Sequence, residues 1–330
     1  MRNKLIIILF LLFSVKPFAF EVKTEVAGKY VENSSENYFE NRVKSELSIK
    51  NPDFYAAVRA DGIYKDDKGE VKIERAYIEL YKNSFTFSLG KQRIFWGSGY
   101  LFNYVDLFNE VDIEDPKGDK KGVNGAIVKY KLNDTSRAEA ALIFKDEKKS
   151  FASRLSTTVG LFELTCNYIK NRKLISEAAN LYSKTDFIIL EAKGEAVVGL
   201  WGTAVFKENS EPVKSSSRIY TAGTDYTFSI NENPLYLLEE LSYDEKAKTL
   251  LSYSLATYDF TNDLKLSASL ISDTESGSSV AGSSLKYLYN DYITATVYFN
   301  SYKDCNNSDS PILSENSDGN EYKLELKADF

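Results

Sequence analysis

The stretch EYKLELKADF, residues 321–330, alternates without a break. Tyr322, Leu324, Leu326, Ala328 and Phe330 fall on one parity, and Lys323, Glu325, Lys327 and Asp329 on the other. Successive side chains of an extended strand point to opposite faces, so this segment has one apolar face and one ionic face. A sandwich strand buries its apolar face against a second sheet and needs fewer charges on the other side. The opposite solution is a wall with hydrocarbon on one side and water on the other.

The rhythm recurs upstream. Phe39, Val43, Leu47 and Ile49 oppose Glu40, Arg42, Lys44, Glu46 and Ser48, while Ile293, Ala295, Val297 and Phe299 oppose Thr294, Thr296, Tyr298 and Asn300. About eighteen such segments fit, with sixteen as the alternative count, each near the length a tilted strand needs to cross a bilayer. With 23 Tyr and 20 Phe against 1 Met and 6 Pro, the composition is β-rich. The connections alternate short and long. Asn51-Pro52, Lys82-Asn83, Asn133-Asp134, Gly160 and Asn290-Asp291 are short, whereas residues 96–121, 171–185, 207–216 and 301–319 are longer. Short turns on the periplasmic side and long loops outside are the pattern of an outer-membrane barrel. The expectation is a single transmembrane up-and-down antiparallel β-barrel over residues 20–330, all-β, with both termini periplasmic. Its strands can span only if closed, because lipid offers no partner to a free N–H or C=O.

Residues 1–19, MRNKLIIILFLLFSVKPFA, put Arg2 and Lys4 before the apolar run Leu5–Phe13 and read as a signal peptide for export. Its removal takes three cations and shifts the formal charge from −7 to −10. An acidic exported chain argues against nucleic acid as a partner. Cys166 and Cys305 are far apart and read as free thiols. The absence of histidine excludes Ser-His-Asp and Cys-His catalysis and His-ligated metals, and no cofactor fingerprint is present. The chain therefore reads as a non-enzyme without metal or cofactor, and a barrel-embedded hydrolase is a remote alternative.

The final strand, with Tyr322, Leu324, Leu326, Ala328 and a terminal Phe330, resembles the assembly signal of Gram-negative outer-membrane proteins. That resemblance implies the barrel-assembly machinery as a partner, beside the lipid bilayer itself.

The distinctive stretch is LGKQRIFWGSGYLFNYVDLFNEVDIEDPKGDKKG, residues 89–122. Phe85, Phe87 and Leu89 read as lipid-facing, and continued parity would send Lys91 and Arg93 to the same side. Either the strand has left the hydrocarbon by Lys91 or a bulge flips its register. The aromatic connection that follows is too apolar to remain in water unpacked. It reads as a loop folding inward at about 96–121, with Arg93, Trp96, Tyr100, Asp106 and Asn109 as pore-constriction candidates. The competing arrangement is an aromatic cap at the membrane interface.

Gly90, Gln92, Trp96, Gly97 and Gly99, followed by Asp106 and Asn109, resemble a G-x-Q-x-x-x-W-G-x-G signature of porin-like barrels related to alginate-export proteins. The resemblance covers about fifty residues and implies an eighteen-stranded channel for an anionic or polar solute.

Parity turns Arg42, Lys44, Arg59, Arg75, Lys129, Lys131 and Arg137 inward, with Glu79 among the accompanying carboxylates. A cationic surplus there would focus anions, while balanced ladders would only fill the lumen. The expected function is passive passage of small polar, anionic or saccharide solutes. The alternative is a closed surface barrel that binds an extracellular polysaccharide. The oligomeric state is open.

Overall fold

The computed structural model describes residues 19–33, 37–65, 68–108, 122–145, 148–176, 181–211, 214–305, 313 and 318–329. The N-terminal residues 1–18, Asn109 and Phe330 lie outside the described residues, so the export signal and two of the candidate residues have no structural account.

Eighteen strands form one sheet. The first six are β1 (Ala19–Asn33), β2 (Asn37–Lys50), β3 (Phe54–Lys65), β4 (Lys68–Lys82), β5 (Phe85–Gln92) and β6 (Val123–Lys131). Then come β7 (Ser136–Lys145), β8 (Lys148–Val159), β9 (Phe162–Ser176), β10 (Leu181–Glu195), β11 (Gly199–Glu211) and β12 (Ser215–Ile230). The last are β13 (Asn233–Asp244), β14 (Thr249–Asp259), β15 (Leu264–Asp273), β16 (Ser279–Leu288), β17 (Ile293–Lys303) and β18 (Gly319–Asp329). Each pairs antiparallel with its sequence neighbours, and β1 pairs with β18 from Glu25↔Asp329 to Asn33↔Glu321. The sheet is a closed barrel, which leaves no unpaired edge.

Alternation sorts the two faces. Val43, Leu47, Leu142, Leu155, Ile188 and Leu324 stand exposed on the outside, while Arg42, Asp61, Glu191, Glu240 and Lys323 point inward. Of the apolar set on β18, Tyr322, Leu324 and Leu326 are exposed and Ala328 shares their outer face. So continuous an apolar exterior has its natural solvent in hydrocarbon.

The short turns close by side-chain capping. Asn51 Oδ1 accepts the N–H groups of Asp53 and Phe54, each at 2.8 Å. Asn290 Oδ1 does the same for Tyr292 and Ile293, and Thr261 Oγ1 for Asp263 and Leu264. These Asx- and Ser/Thr-type turns satisfy donors that leave the ladder. Both ends of the described chain lie on this short-turn side.

Two details depart from the sequence reading. Residues 171–185 and 207–216 are largely strand, because β9 runs to Ser176, β10 starts at Leu181, β11 runs to Glu211 and β12 starts at Ser215. Continued pairing satisfies their backbone beyond the apolar belt. The only bulge within the β3–β4–β5 region lies on β4 rather than at Lys91: Arg59 pairs with Arg75 but Ala60 with Ile73, so Glu74 is the extra residue. Glu74 and Arg75 therefore both point inward. β5 keeps its register and ends one residue past Lys91, whose Nζ donates to the carbonyl of Ile73 on the bulged strand.

Candidate functional site

From Arg93 to Phe108 the chain leaves the wall and packs against inward-facing side chains of β6 to β16. Ile94, Trp96, Val105 and Phe108 join Ile127, Ile143, Ile169, Ile189 and Val205 in one apolar cluster. Leu101 and Phe102 join Trp201, Leu238, Leu251, Tyr253, Ile271 and Val280 in a second. Burying one side chain the size of Phe102 is worth about 1.5–3 kcal/mol. Hydrophobic burial thus holds the segment to one side of the lumen.

Three inward carboxylates fix its path. Glu240, fully buried, accepts Tyr100 N and Trp201 Nε1 on Oε1, at 2.8 and 2.7 Å, and Leu101 N and Phe102 N on Oε2, at 2.7 and 2.8 Å. Three consecutive backbone donors converge on one carboxylate, as they do on anions in backbone nests. Glu191 accepts Ser98 N and Oγ at 2.9 and 3.2 Å, and Asn167 Nδ2 at 2.8 Å. Glu139 accepts Trp96 Nε1 at 3.1 Å. Tyr104 OH meets Ser242 Oγ at 2.9 Å, and burial pushes its phenol pKa up.

The glycines of the signature have specific work. Gly90 has φ 125°, and a Cβ there would lie 2.2 Å from the Ala76 carbonyl oxygen of β4. Gly97 has φ 97°, and a Cβ would strike the Asn103 side chain, whose Nδ2 donates to Trp96 O at 3.0 Å. Both positions require a residue without a side chain.

The remaining wall is ionic. Arg59 Nε lies 3.2 Å from Glu74 and its Nη1 3.9 Å from Glu46, which Arg75 also approaches at 3.8 Å. Arg42 reaches Asp61 at 3.5 Å and Glu40 at 3.4 Å, and Lys44 stands opposite Asp61. Arg93 covers the Phe95 ring at 4.3 Å and feels the charges of Arg75 and Arg59. Glu79 accepts Ser88 Oγ and Tyr81 OH, both at 2.8 Å. The four guanidiniums of Arg42, Arg59, Arg75 and Arg93, with Lys44, form one lumenal group against the five carboxylates of Glu40, Glu46, Asp61, Glu74 and Glu79. The Arg42 side chain is 35% exposed and that of Asp61 only 2%, so the cation stands farther into the lumen than the anion beneath it.

Not all sequence candidates join this group. Lys131 pairs with Asp134 at 2.7 Å in the turn after β6, where its ammonium holds the Asp134 carboxyl below its ordinary pKa. Arg137 pairs with Glu163 at 2.8 Å near the same rim, and Lys129 stands opposite Glu139 on β7. Asp106 is buried instead of facing open lumen, because the chain turns back there: its N–H donates to Asn103 O at 3.2 Å and Oδ1 at 3.3 Å. The anchoring roles of Glu191 and Glu240 left no local mark beyond an inward carboxylate on a strand.

No protein-family model and no curated protein matches the sequence. Solved structures do. OccAB3 of Acinetobacter baumannii superposes with a TM-score of 0.64 at 9% identity, over 94% of this chain and 99% of that one. The chain has the porin-type barrel fold. OccK5 (OpdH) of Pseudomonas aeruginosa gives 0.64 at 8% identity over 94% and 98%, and a mutant of the Rh. blastica porin gives 0.53 at 12% over 95% and 100%. At such identities the likeness extends to the fold.

Proposed function

We propose that the chain is an outer-membrane channel through which small polar, anionic solutes pass passively, in a lumen narrowed by the segment from Arg93 to Phe108. The observation that carries this reading is the contrast inside the barrel: the segment covers an apolar wall and leaves the arginine-rich wall facing the passage. At Arg42 the carboxylates of Asp61 and Glu40 are sunk behind the guanidinium, so an entering solute meets positive charge there. Glu46, by contrast, is as accessible as the Arg59 and Arg75 that flank it. The porin-type fold of the similar solved structures supports the same reading, as do the N-terminal sequence that reads as an export signal and the C-terminal strand that resembles an assembly signal. The resemblance of the Gly90–Asn109 signature to alginate-export-type barrels supplies a hydroxylated, saccharide-like anion as one solute class.

Planar-bilayer recording tests it. The purified barrel gives discrete current steps, and in a salt gradient the reversal potential reports anion preference. Arg42→Ala and Arg59→Ala lower that preference. Steps with unchanged preference in both variants would remove the charge argument. A second reading, a closed surface barrel that attaches to a polysaccharide, is favoured by how tightly residues 94–108 pack. It predicts no current from a folded barrel.

A further inference from the structure

On β14 to β17 the lumen wall changes character. Leu255, Ser269, Gly282 and Asn300 stand side by side in register, and Thr257, Ser267, Ser284 and Tyr298 form the next inward row toward the short turns. The row toward the long loops has Tyr253 and Tyr302 at its ends, with Ile271 and Val280 between them. Small side chains at the centre and larger ones at the rim leave a pocket of about 160 Å³ in the wall. Tyr100 of the inserted segment closes one edge, stacked on Tyr253 with ring centroids 5.9 Å apart and planes 21° apart. Around the barrel, β18 and β1 are all that separate this stretch from the arginine wall on β2 to β4.

Gly282 keeps the floor open. A Cβ there would lie 2.9 Å from Ser269 Oγ and 3.0 Å from Asn300 Oδ1, so a hydroxyl and an amide oxygen converge above it. Thr257 Oγ1 and Ser267 Oγ are 3.0 Å apart, and whichever donates to the other, the pair keeps one further hydroxyl hydrogen to give. Among the described residues that line the pocket, none is charged. Charge resumes at its borders, with Lys323 5.6 Å from the Tyr298 ring and Lys265 opposite Lys286 one row nearer the short turns. A bare anion therefore finds no cation in the lining. A hydrocarbon would desolvate the hydroxyl floor without replacing its hydrogen bonds. A ring with C–H faces and hydroxyl edges matches both the tyrosine rim and the floor.

We infer that this pocket binds the ring of one monosaccharide, with a C–H face on the tyrosine rim and hydroxyls over Gly282. Tyr100, Tyr298 and Tyr302 are each half-buried, which leaves part of each ring to the ligand. The lumen then offers two separate kinds of contact: guanidiniums for a charged group on β2 to β4, and a neutral station for a hydroxylated ring on β14 to β17. As a station for a solute in transit the pocket rests on the channel reading; as a binding site it does not.

The test uses the full barrel in a detergent without a sugar headgroup, with glucose as the probe and the open-chain hexitol sorbitol as its comparison. Saturation-transfer NMR, which needs no current, finds the C–H protons of glucose in contact with the protein and those of sorbitol much less so. Ser269→Ala removes one floor hydroxyl and raises the glucose dissociation constant about two- to tenfold. Gly282→Leu fills the pocket and abolishes the contact, while Asp134→Asn, in a distant turn, binds glucose as the wild type does. Heat-modifiable gel mobility verifies that each variant is folded. Equal transfer to sorbitol, contact that survives Gly282→Leu, or no contact with the folded wild type overturns the inference. Glucose bound by a barrel that passes no current keeps the pocket and removes the channel; anion-selective current from a barrel that ignores glucose does the reverse.

Discussion

The two sides of the lumen are built from the same alternating strands and solve the same problem differently. On β6 to β16 a band of inward apolar side chains packs against an inserted segment, and carboxylates set among them accept hydrogen bonds from its backbone and indole N–H groups. On β2 to β4 the inward carboxylates face guanidiniums instead. A buried carboxylate needs donors in either case. Where another part of the chain provides them, the wall is covered; where arginines provide them, it is left uncovered. In the proposed channel the passage therefore runs along the arginine side.

Glu240→Ala is the strongest way to break that contrast. It leaves three neighbouring backbone donors and the Trp201 indole without their acceptor, at a cost on the order of 3 kcal/mol or more. Denaturant unfolding in detergent reads that loss, and the freed segment raises single-channel conductance. Gly97→Ala comes next, at about 1–3 kcal/mol, since the new methyl must adopt a positive φ and displace Asn103. The same unfolding experiment reports it.

The ionic wall responds through selectivity more than stability. If the proposed anion selectivity is electrostatic, raising salt from about 0.1 to 1 M, which shortens the Debye length from about 10 to 3 Å, lowers the preference measured by reversal potential. A preference independent of salt would point to size selection in place of charge. The smallest effect belongs to Asp134→Asn: its exposed pair with Lys131 lies in a turn, and unfolding and conductance remain at wild-type values.

Much of the barrel was readable because lipid enforces alternation at every strand, as residues 321–330 and 37–50 illustrate. Asparagine at the short turns marked the hairpins for an equally local reason. The path of residues 93–108 was less accessible. Trp96 and Phe102 announce that they must be buried, yet their partners Glu139 and Trp201 are brought near only by closure of the barrel. The β4 bulge was invisible because Glu74 and Arg75 are both plausible inward residues, and nothing in their types shows that both occupy that face. Asp106 illustrates the converse: polarity suggested exposure, but the turn made by Asn103 buries it.

The seam between β1 and β18 also governs how the molecule is made. Seventeen of its eighteen pairings join neighbouring strands and can zip up as the chain emerges, but the last joins its two extremities. That contact carries the largest loop-closure entropy and waits for the whole polypeptide. Until it forms, both terminal strands expose sticky margins, so a chain shortened by its final strand is a candidate for aggregation and proteolysis before it is ever a leaky pore.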